Sequence, residues 1–370
     1  MCIIEEMKKA SVTAEHQGYY YRLPNIIAIL IMGLLCRMKT LRDIHFWATS
    51  KNVARMLEEH FGITKIPCYS HFVALVGIID AKELNKIFME FFAKLVETVV
   101  GKTIAIDGKT ICSTANMEHF QNPLHIASAF VVENGITIGQ LAADAKSNEI
   151  PAVRELIRML DVEGATIVMD ALNCQVATVK TILDAGAEYV LSVKKNQLGL
   201  HEDVAEMIEF KSTDPCEAKQ FPLEKATKME KGHGRIDSRT ALVTHEVKWL
   251  ESRHKFKGIQ TIGAIVTKSE TRYYISSRVL SAKELLDITR SQWGVESMHW
   301  QLDVIFGEDQ ATLHEANTQM VLNILRKAVL NVLKTYRDKH EPKLSMTDIT
   351  RKCSHDTDVL LDVLVKFGDC

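Results

Sequence analysis

The sequence lacks closely spaced cysteine pairs. Its eight cysteines are scattered along 370 residues, and no C-x-x-C motif occurs. A disulfide framework and a zinc knuckle both need cysteine pairs at short spacing, so neither is indicated. The run Cys353-Ser354-His355 has no second ligand pair at a suitable spacing. We therefore expect reduced thiols in a cytoplasmic protein.

Long hydrophobic runs are also missing. The longest apolar run, Leu23 to Cys36, is interrupted by Pro24 and Asn25. It is shorter than the roughly 20 residues that a membrane-spanning helix needs. It also lacks the basic front and the small-residue cleavage site of a signal peptide. We expect a buried helix here and no association with a membrane.

The chain carries little net charge, with a formal value of -2. A protein coated uniformly for nucleic acid would be strongly positive. The average conceals one basic segment, because residues 219–278 contain thirteen Lys or Arg and only six acids. Runs of β-branched residues in this part predict a β-rich insertion. The sequence contains no internal repeat and no low-complexity stretch.

Residues 1–100 show helical periodicity, with apolar positions recurring at spacings of three and four. Two interpretations remain open for the segment 67–76, which two short helices precede. In a helix-turn-helix, the residues at the DNA-facing end are Tyr69, Ser70 and His71, with Ser70 as the helix cap. In an ordinary helical bundle, the residues that pack inward are Phe72, Leu75 and Val76.

A short apolar run from Thr103 to Ile111 begins a region of strands. Its Ile and Ala residues with β-branched neighbours predict an interior strand that ends at Asp107. Gly108 would let the backbone turn sharply just after the acid. A buried carboxylate is costly without a partner or a function, so Asp107 is a candidate site residue.

The strand region continues with a predicted hairpin and two crossovers. Strands at 125–133 and 137–142 flank Asn134-Gly135, a strong hairpin signal. The spacing indicates the order β-β-β-α-β-α-β, an antiparallel meander followed by right-handed crossovers. The later elements are predicted at 150–160 (helix), 165–170 (strand), 175–185 (helix) and 189–193 (strand).

Two of these strands end in an aspartate. A crossover helix between them places Asp107 and Asp170 at the same edge of one sheet. Two carboxylates held close together repel each other unless a cation lies between them, and Mg²⁺ prefers such oxygen ligands. For either acid alone, a capping or turn role is equally compatible with the sequence.

A predicted helix over 291–306 supplies a third acid. It aligns Glu296 with His299 or Trp300 and with Asp303 on one face, and the residues that can pack on the opposite face are Val295, Met298, Leu302 and Ile305. Glu296 is the leading candidate ligand, and the weaker candidates are Asp303, Glu308 and Asp309. Acids beside tryptophans suggest the wall of a site, although a core position is the more usual one for Trp293 and Trp300.

Six segments, in this order, resemble the DDE insertion-sequence transposases and specifically their H-repeat-associated group. The segments are AIDGKT, KSNEIPAV, VMDALNCQ, VKKNQ, GHGRID and WGVESMHWQLDVIFGED. One such motif would be unspecific, whereas six ordered segments are highly specific. The similarity extends from the helical N-terminal region to about residue 335.

The resemblance implies an α/β fold of the ribonuclease H-like class, in which helices flank a mixed sheet. It implies that Asp107, Asp170 and Glu296 form the acidic triad. The expected N-terminal region, at 1–100, is helical and transposase-associated, with DNA binding as one role. The DDE catalytic domain is expected at 101–199 and 280–336, and a basic β-rich insertion at 200–279 separates its two parts. A C-terminal tail is expected at 337–370.

The resemblance also implies metal-dependent DNA cleavage and strand transfer at insertion-sequence ends. Two Mg²⁺ or Mn²⁺ ions on the triad would activate water and then a DNA 3′-hydroxyl. The expected partners are double-stranded DNA with terminal inverted repeats and a second copy of the chain in a synaptic complex, at the nucleoid. Candidate DNA contacts are Lys109, Lys194, Lys195, His233, Arg235 and Arg239.

The chain departs from the family pattern at three places. Ile111-Cys112-Ser113 stands where relatives commonly have Leu-Arg-Gly. Gln292 and Ser297 replace a His and an Asn around the glutamate, and Asp303 stands where related transposases place a lysine. All three triad acids are retained. Two alternatives therefore stay open, a catalytically poor DNA-binding derivative and a ribonuclease H-like nuclease that cuts without joining.

Overall fold

One mixed sheet organises the computed structural model, which describes residues 3–7, 9, 21–111, 124–143, 149–213, 223–232, 235–310 and 315–368. In these residues the sheet has nine strands in the spatial order β3-β2-β1-β4-β5-β9-β8-β7-β6. The strands are β1 Thr103–Thr110, β2 His125–Val131, β3 Ile136–Ala143, β4 Thr166–Met169, β5 Glu188–Val193, β6 Glu224–Gly232, β7 Arg235–Thr244, β8 Thr261–Val266 and β9 Thr271–Ser276.

Helices surround this sheet and form the N-terminal and C-terminal regions. They are α1 Ile3–Met7, α2 Leu23–Leu35, α3 Leu41–Ala48, α4 Lys51–Phe61, α5 Tyr69–Gly77, α6 Ala81–Val96, α7 Glu149–Met159, α8 Val176–Asp184, α9 Leu198–Thr213, α10 Lys248–His254, α11 Ala282–Ser291, α12 Trp293–Phe306, α13 Ala316–His340, α14 Met346–His355 and α15 Thr357–Gly368. Short 3₁₀ turns lie at Ala171–Asn173, Lys195–Gln197 and Glu308–Gln310.

The first three strands form the predicted antiparallel meander. β1 pairs with β2 and β2 with β3, both antiparallel. The hairpin at Asn134-Gly135 is confirmed, and Gly135 adopts a positive φ of 66° that few other residues tolerate. β4 then pairs parallel with β1, and β5 pairs parallel with β4, each after a crossover helix.

The strand β1 is longer than the sequence predicts. It continues past Asp107 to Thr110, with Asp107 opposite Ser128 and Gly108 opposite Ala127. The predicted sharp turn at Gly108 is therefore wrong. The glycine is instead needed for close packing, because a Cβ atom there would lie 2.4 Å from Nε2 of His125.

The segment predicted as a β-rich insertion extends the central sheet. β9 pairs antiparallel with β5, and β8, β7 and β6 follow outward. Without β9, the outer edge of β5 would present unpaired backbone groups. The same segment also begins with the helix α9, which sequence analysis did not predict.

The N-terminal helices bury the longest apolar run. Helix α2 is apolar on nearly all sides, and a helix of this kind is stable only inside a core. Helix α5 buries Phe72, Leu75 and Val76, as the bundle interpretation predicts, while Ser70 and His71 remain exposed. Ser70 is not the helix cap, because the N-cap position of α5 is Cys68. The side chain of Cys68 makes no capping hydrogen bond.

The C-terminal residues 337–368 are helical and packed. The long helix α13 contacts α2, α6 and β3, and α14 and α15 pack against it. Leu360, Val363 and Phe367 of α15 are buried. In the residues that the structure describes, no helix is long and apolar enough to cross a membrane.

Candidate active site

The parallel pairing of β1 and β4 brings two acids together. The register runs from Thr103 opposite Thr166 to Ile106 opposite Met169. Asp107 and Asp170 are the next residues on each side, and neighbouring strands lie about 4.8 Å apart. The two acids thus lie side by side at the carboxyl end of β4, as the sequence pattern predicts.

The environment of Asp107 disfavours its charged form. Burial and the charge of Asp170 raise its pKa to about 7, and the charges of Glu149 and Glu296 act in the same direction. A hydrogen bond from the backbone of Gly108 opposes the shift. Asp107 therefore lies at the centre of a negatively charged cluster that includes all three predicted acids.

Asp170 has a structural role as well. Its Oδ1 accepts hydrogen bonds from the backbone N–H of Leu172 (3.1 Å) and of Asn173 (3.4 Å), and it caps the 3₁₀ turn that follows β4. The amide Nδ2 of Asn173 also donates to Oδ1 at 3.4 Å. The capping interpretation of a single acid thus holds for Asp170 alongside its place beside Asp107.

Glu296 reaches the cluster from a different layer. It lies on α12, which packs against β1, and its side chain is exposed. Trp293 and Trp300 on the same helix are 46% and 63% exposed, so neither is a core residue. The guanidinium of Arg290 lies 3.7 Å from the centre of the Trp293 ring. Aromatic surface therefore borders the exposed acid.

His299 of α12 is held neutral next to Asp107. Its Nδ1 lies 3.6 Å from Oδ2 of Asp107. Burial, with smaller contributions from positive Lys327 and Lys109, lowers its pKa to about 3. The lowered pKa disfavours a charged ion pair with Asp107 at neutral pH, and the imidazole of His299 forms one wall of the site.

The side chain of Lys109 forms ion pairs with three acids of this chain. Its Nζ lies 2.5 Å from Oδ1 of Asp303, 3.1 Å from Oε2 of Glu308 and 3.6 Å from Oδ1 of Asp309. The lysine thereby ties β1 to α12 and to the 3₁₀ turn that follows. A phosphate contact by Lys109 would have to replace these ion pairs.

The other predicted DNA contacts fall into two groups. Lys194 and Lys195 are exposed just beyond β5, and Nδ2 of Asn196 donates to the carbonyl of Ala171 at 2.6 Å. This bond ties the lysines to the turn that Asp170 caps.

The second group belongs to the far part of the sheet. Arg239 lies on β7, four strand spacings or about 19 Å from β4. Arg235 begins the same strand. His233 lies outside the described residues, as does Cys112 among the departures from the family pattern.

Sequence reasoning missed a buried polar group beneath the acids. Nε2 of His125 lies 2.8 Å from Oε2 of Glu149, and Nδ2 of Asn173 donates to Oε1 of Glu149 at 3.1 Å. All three side chains are buried. The signal in the sequence is KSNEIPAV, one of the six segments that carry the resemblance to the family, because it contains Glu149.

The donor chemistry of the cluster fits a hard divalent cation. Carboxylate oxygens are its preferred ligands, and such a cation would offset the repulsion that raises the pKa of Asp107. In the described part of the chain, no three His, Cys, Asp or Glu side chains lie at metal-ligand spacing. Binding of the ion is therefore part of the functional proposal.

Known proteins that are similar in sequence to this chain include two described as putative transposases. "Putative transposase YncI" of Escherichia coli O157:H7 is 32% identical over 286 residues, which cover 74% of this chain and 72% of that protein. "H repeat-associated putative transposase YhhI" of Escherichia coli (strain K12) is 29% identical over 317 residues, or 82% of each chain.

Among solved structures, the cryo-EM structure of a piggyBac transposase synaptic complex with hairpin DNA is similar. Its TM-score is 0.51 at 12% identity, and the match covers 100% of this chain and 79% of that one. This similarity confirms the expected ribonuclease H-like fold.

A family described as "Transposase DDE domain" matches residues 100–332. The match spans the region from β1 to α13, including every residue of the acidic cluster. Together with the relatives above, it confirms the resemblance to the H-repeat-associated group. The chain therefore belongs to the DDE-domain transposase family.

Proposed function

We propose that this protein catalyses metal-dependent DNA cleavage and strand transfer at the ends of an insertion sequence. The observation that carries the proposal is the register of β1 and β4, which sets Asp107 beside Asp170 in a chain of the transposase family. The charge of Glu296 acts on Asp107 from α12 and completes the set.

The three acids have distinct tasks in this proposal. Asp107 and Asp170 would hold the metal from the sheet, and Glu296 from the helix side. Bound Mg²⁺ or Mn²⁺ ions would supply the Lewis acidity that phosphoryl transfer requires. Neutral His299 places no positive charge against Asp107, so it leaves the carboxylate available to a cation.

The DNA would approach across the edge of the sheet where the acids lie. Lys194 and Lys195 are exposed there and offer phosphate contacts. The exposed rings of Trp293 and Trp300 provide apolar surface beside Glu296. We take double-stranded DNA with terminal inverted repeats as the substrate and two copies of the chain as the active assembly, because both ends must be joined to one target.

The test is a strand-transfer assay with Mg²⁺ and the inverted repeats that flank the gene. Joined products are expected for the unaltered protein. Asp107→Asn, Asp170→Asn and Glu296→Gln should each reduce joining by at least about 100-fold, since even residues behind metal ligands cost about 10- to 100-fold. The matched control is Asp161→Asn, an exposed acid on the loop before β4.

Other outcomes identify the alternatives. Nicked but unjoined DNA would indicate a nuclease, and a gel shift without cleavage would indicate a DNA-binding derivative. Full joining by Asp107→Asn would overturn the assignment of the acids.

A further inference from the structure

A chain of buried polar side chains runs beneath the two sheet acids. Oγ1 of Thr110 lies 2.9 Å from Nδ1 of His125, whose Nε2 faces Oε2 of Glu149 at 2.8 Å. Oε1 of Glu149 accepts from Nδ2 of Asn173, which also reaches Oδ1 of Asp170 at 3.4 Å. Four different elements, β1, β2, α7 and the 3₁₀ turn, are connected in this way.

Burial makes this connection expensive to break. His125, Glu149 and Asn173 are each almost inaccessible to water. A buried carboxylate is tolerated when it is paired and hydrogen-bonded. Oε1 of Glu149 accepts the hydrogen bond from Asn173, and Oε2 lies 2.8 Å from Nε2 of His125, within ion-pair distance but outside hydrogen-bond geometry. The side chain is therefore fixed in one position.

The backbone of β1 is shaped around the same pair. A Cβ atom at residue 108 would lie 2.4 Å from Nε2 of His125 and 2.8 Å from Cδ of Glu149. Only glycine leaves room for them. The pair thus touches the strand directly after Asp107, while Asn173 reaches Asp170 from the other side.

We propose that Glu149, held by His125, is a positioning residue for the acidic site. It fixes Asp170 through Asn173 and supports β1 at Gly108, so both carboxylates keep one separation. The inference rests on the proposed function, because the separation matters only if the acids share a cation. Residues that orient metal ligands from behind typically change affinity or activity about 10- to 100-fold.

The experiment compares Glu149→Gln and Asn173→Ala with the unaltered protein. Mn²⁺ binding is measured by calorimetry without DNA, DNA cleavage gives kcat and KM, and thermal unfolding reports stability. Each variant should bind Mn²⁺ about 10- to 100-fold more weakly and lose kcat by a similar factor, with KM for DNA unchanged. The matched control is Glu155→Gln, an exposed glutamate on the same helix α7.

The double variant Glu149→Gln with Asn173→Ala distinguishes one chain of contacts from two separate effects. Side chains that act as a unit give losses that are not additive, so the double variant should resemble the worse single one. Additive losses would overturn the connection through Asn173.

Thermal unfolding shows whether Glu149 only stabilises the fold by packing or also positions the acids. A folded Glu149→Gln protein with unchanged Mn²⁺ affinity and kcat would overturn the inference. If Glu149→Gln does not fold, the milder Asn173→Ala decides by the same two measurements. Failure of the proposed function is recognised separately, because the unaltered protein would then bind Mn²⁺ no better than Asp107→Asn.

Discussion

Asp107 shows how a single residue can be unfavourable for folding and still be retained. Its pKa of about 7 lies well above its ordinary value of 3.8, because burial and Asp170 disfavour the charged form. Above about pH 4 the unfolded chain loses this proton while the folded chain keeps it. The folded state is therefore progressively destabilised between pH 4 and pH 7 in the absence of metal.

We expect Asp107→Asn to stabilise the metal-free protein at pH 8. The gain in the free energy of unfolding should be about 2–4 kcal/mol, following the pKa shift. It should vanish below about pH 4, where both states are protonated. Urea denaturation in EDTA at several pH values measures this, with Asp161→Asn as the control. An equal gain at pH 3.5 and pH 8 would contradict the explanation.

Lys109 is the second residue whose environment the sequence did not reveal. It lies against Asp303, Glu308 and Asp309, and Glu308 is fully buried. Oε1 of Glu308 accepts from Nδ2 of Asn323 at 2.8 Å as well. The positive charge of Lys109 thus stabilises a carboxylate that has no access to water, together with the buried side chains of Arg326 and Lys327.

Lys109→Met should lower the free energy of unfolding by about 3–5 kcal/mol, since it removes the direct ion-pair partner of the buried Glu308. Lys86→Met on α6 is the control. Its ion pair with Glu90 is exposed and 4.0 Å long, so its loss should cost about 0.5 kcal/mol or less. Equal effects of the two substitutions in urea denaturation would show that Lys109 is a surface charge.

At the scale of elements, helix α12 combines a buried and an exposed face. Val295, Met298, Leu302 and Ile305 pack inward as the helical spacing predicts. The opposite face presents Trp293 and Trp300 beside Glu296. Exposed tryptophan side chains contribute little to the stability of the fold. We therefore expect Trp293 and Trp300 to contribute to DNA binding.

Trp300→Ala should change the free energy of unfolding by about 0.5 kcal/mol or less. It should weaken DNA binding by about 1–3 kcal/mol, roughly 5- to 150-fold, if the ring stacks on a base. Fluorescence anisotropy with DNA ends measures the affinity. Met159→Ala on α7, where the side chain is 48% exposed, is the control. Unchanged affinity for both variants would exclude α12 from the DNA interface.

The end of β5 is the element that carries the exposed lysine pair. Replacing Lys194 and Lys195 by Ala should reduce the dependence of log affinity on log salt by about one unit for each phosphate that is no longer neutralised. Lys339→Ala, an exposed lysine at the end of α13, should leave the slope unchanged. Binding measured between 50 and 200 mM salt decides the matter.

At the scale of the whole molecule, one sheet runs from the acidic site to the basic outer strands. β9 continues the sheet from β5, so β6 and β7 are rigidly connected to the strands that carry Asp107 and Asp170. DNA that contacts both regions would cross several strands. The described part of the chain contains one such acidic site, and in the proposed function two DNA ends would therefore need two chains.

We expect DNA ends to assemble two protein molecules of 41.7 kDa each. Mass photometry with and without the terminal repeats measures the change. The same experiment with DNA of unrelated sequence is the control. Complexes that contain a single protein chain, under conditions where joining occurs, would contradict the expected synaptic dimer.

The sequence by itself determined the local features. Alternation and turn residues predicted β1 to β5 and the hairpin at Asn134-Gly135, since short-range sterics decide them. Helical spacing predicted the buried face of α12. The likeness of six segments predicted the family and the ribonuclease H-like fold, and the pattern of strand ends placed Asp107 next to Asp170.

Only the tertiary structure decided what depends on contacts distant in the sequence. Lys109 meets Asp303 and Glu308 nearly 200 residues later, and no periodicity encodes that meeting. The sequence predicts a turn at Gly108, because the close approach of His125 and Glu149 to this glycine leaves no local pattern in the sequence. The outer strands joined the central sheet because the edge of β5 needed a partner, which is a property of the assembled sheet.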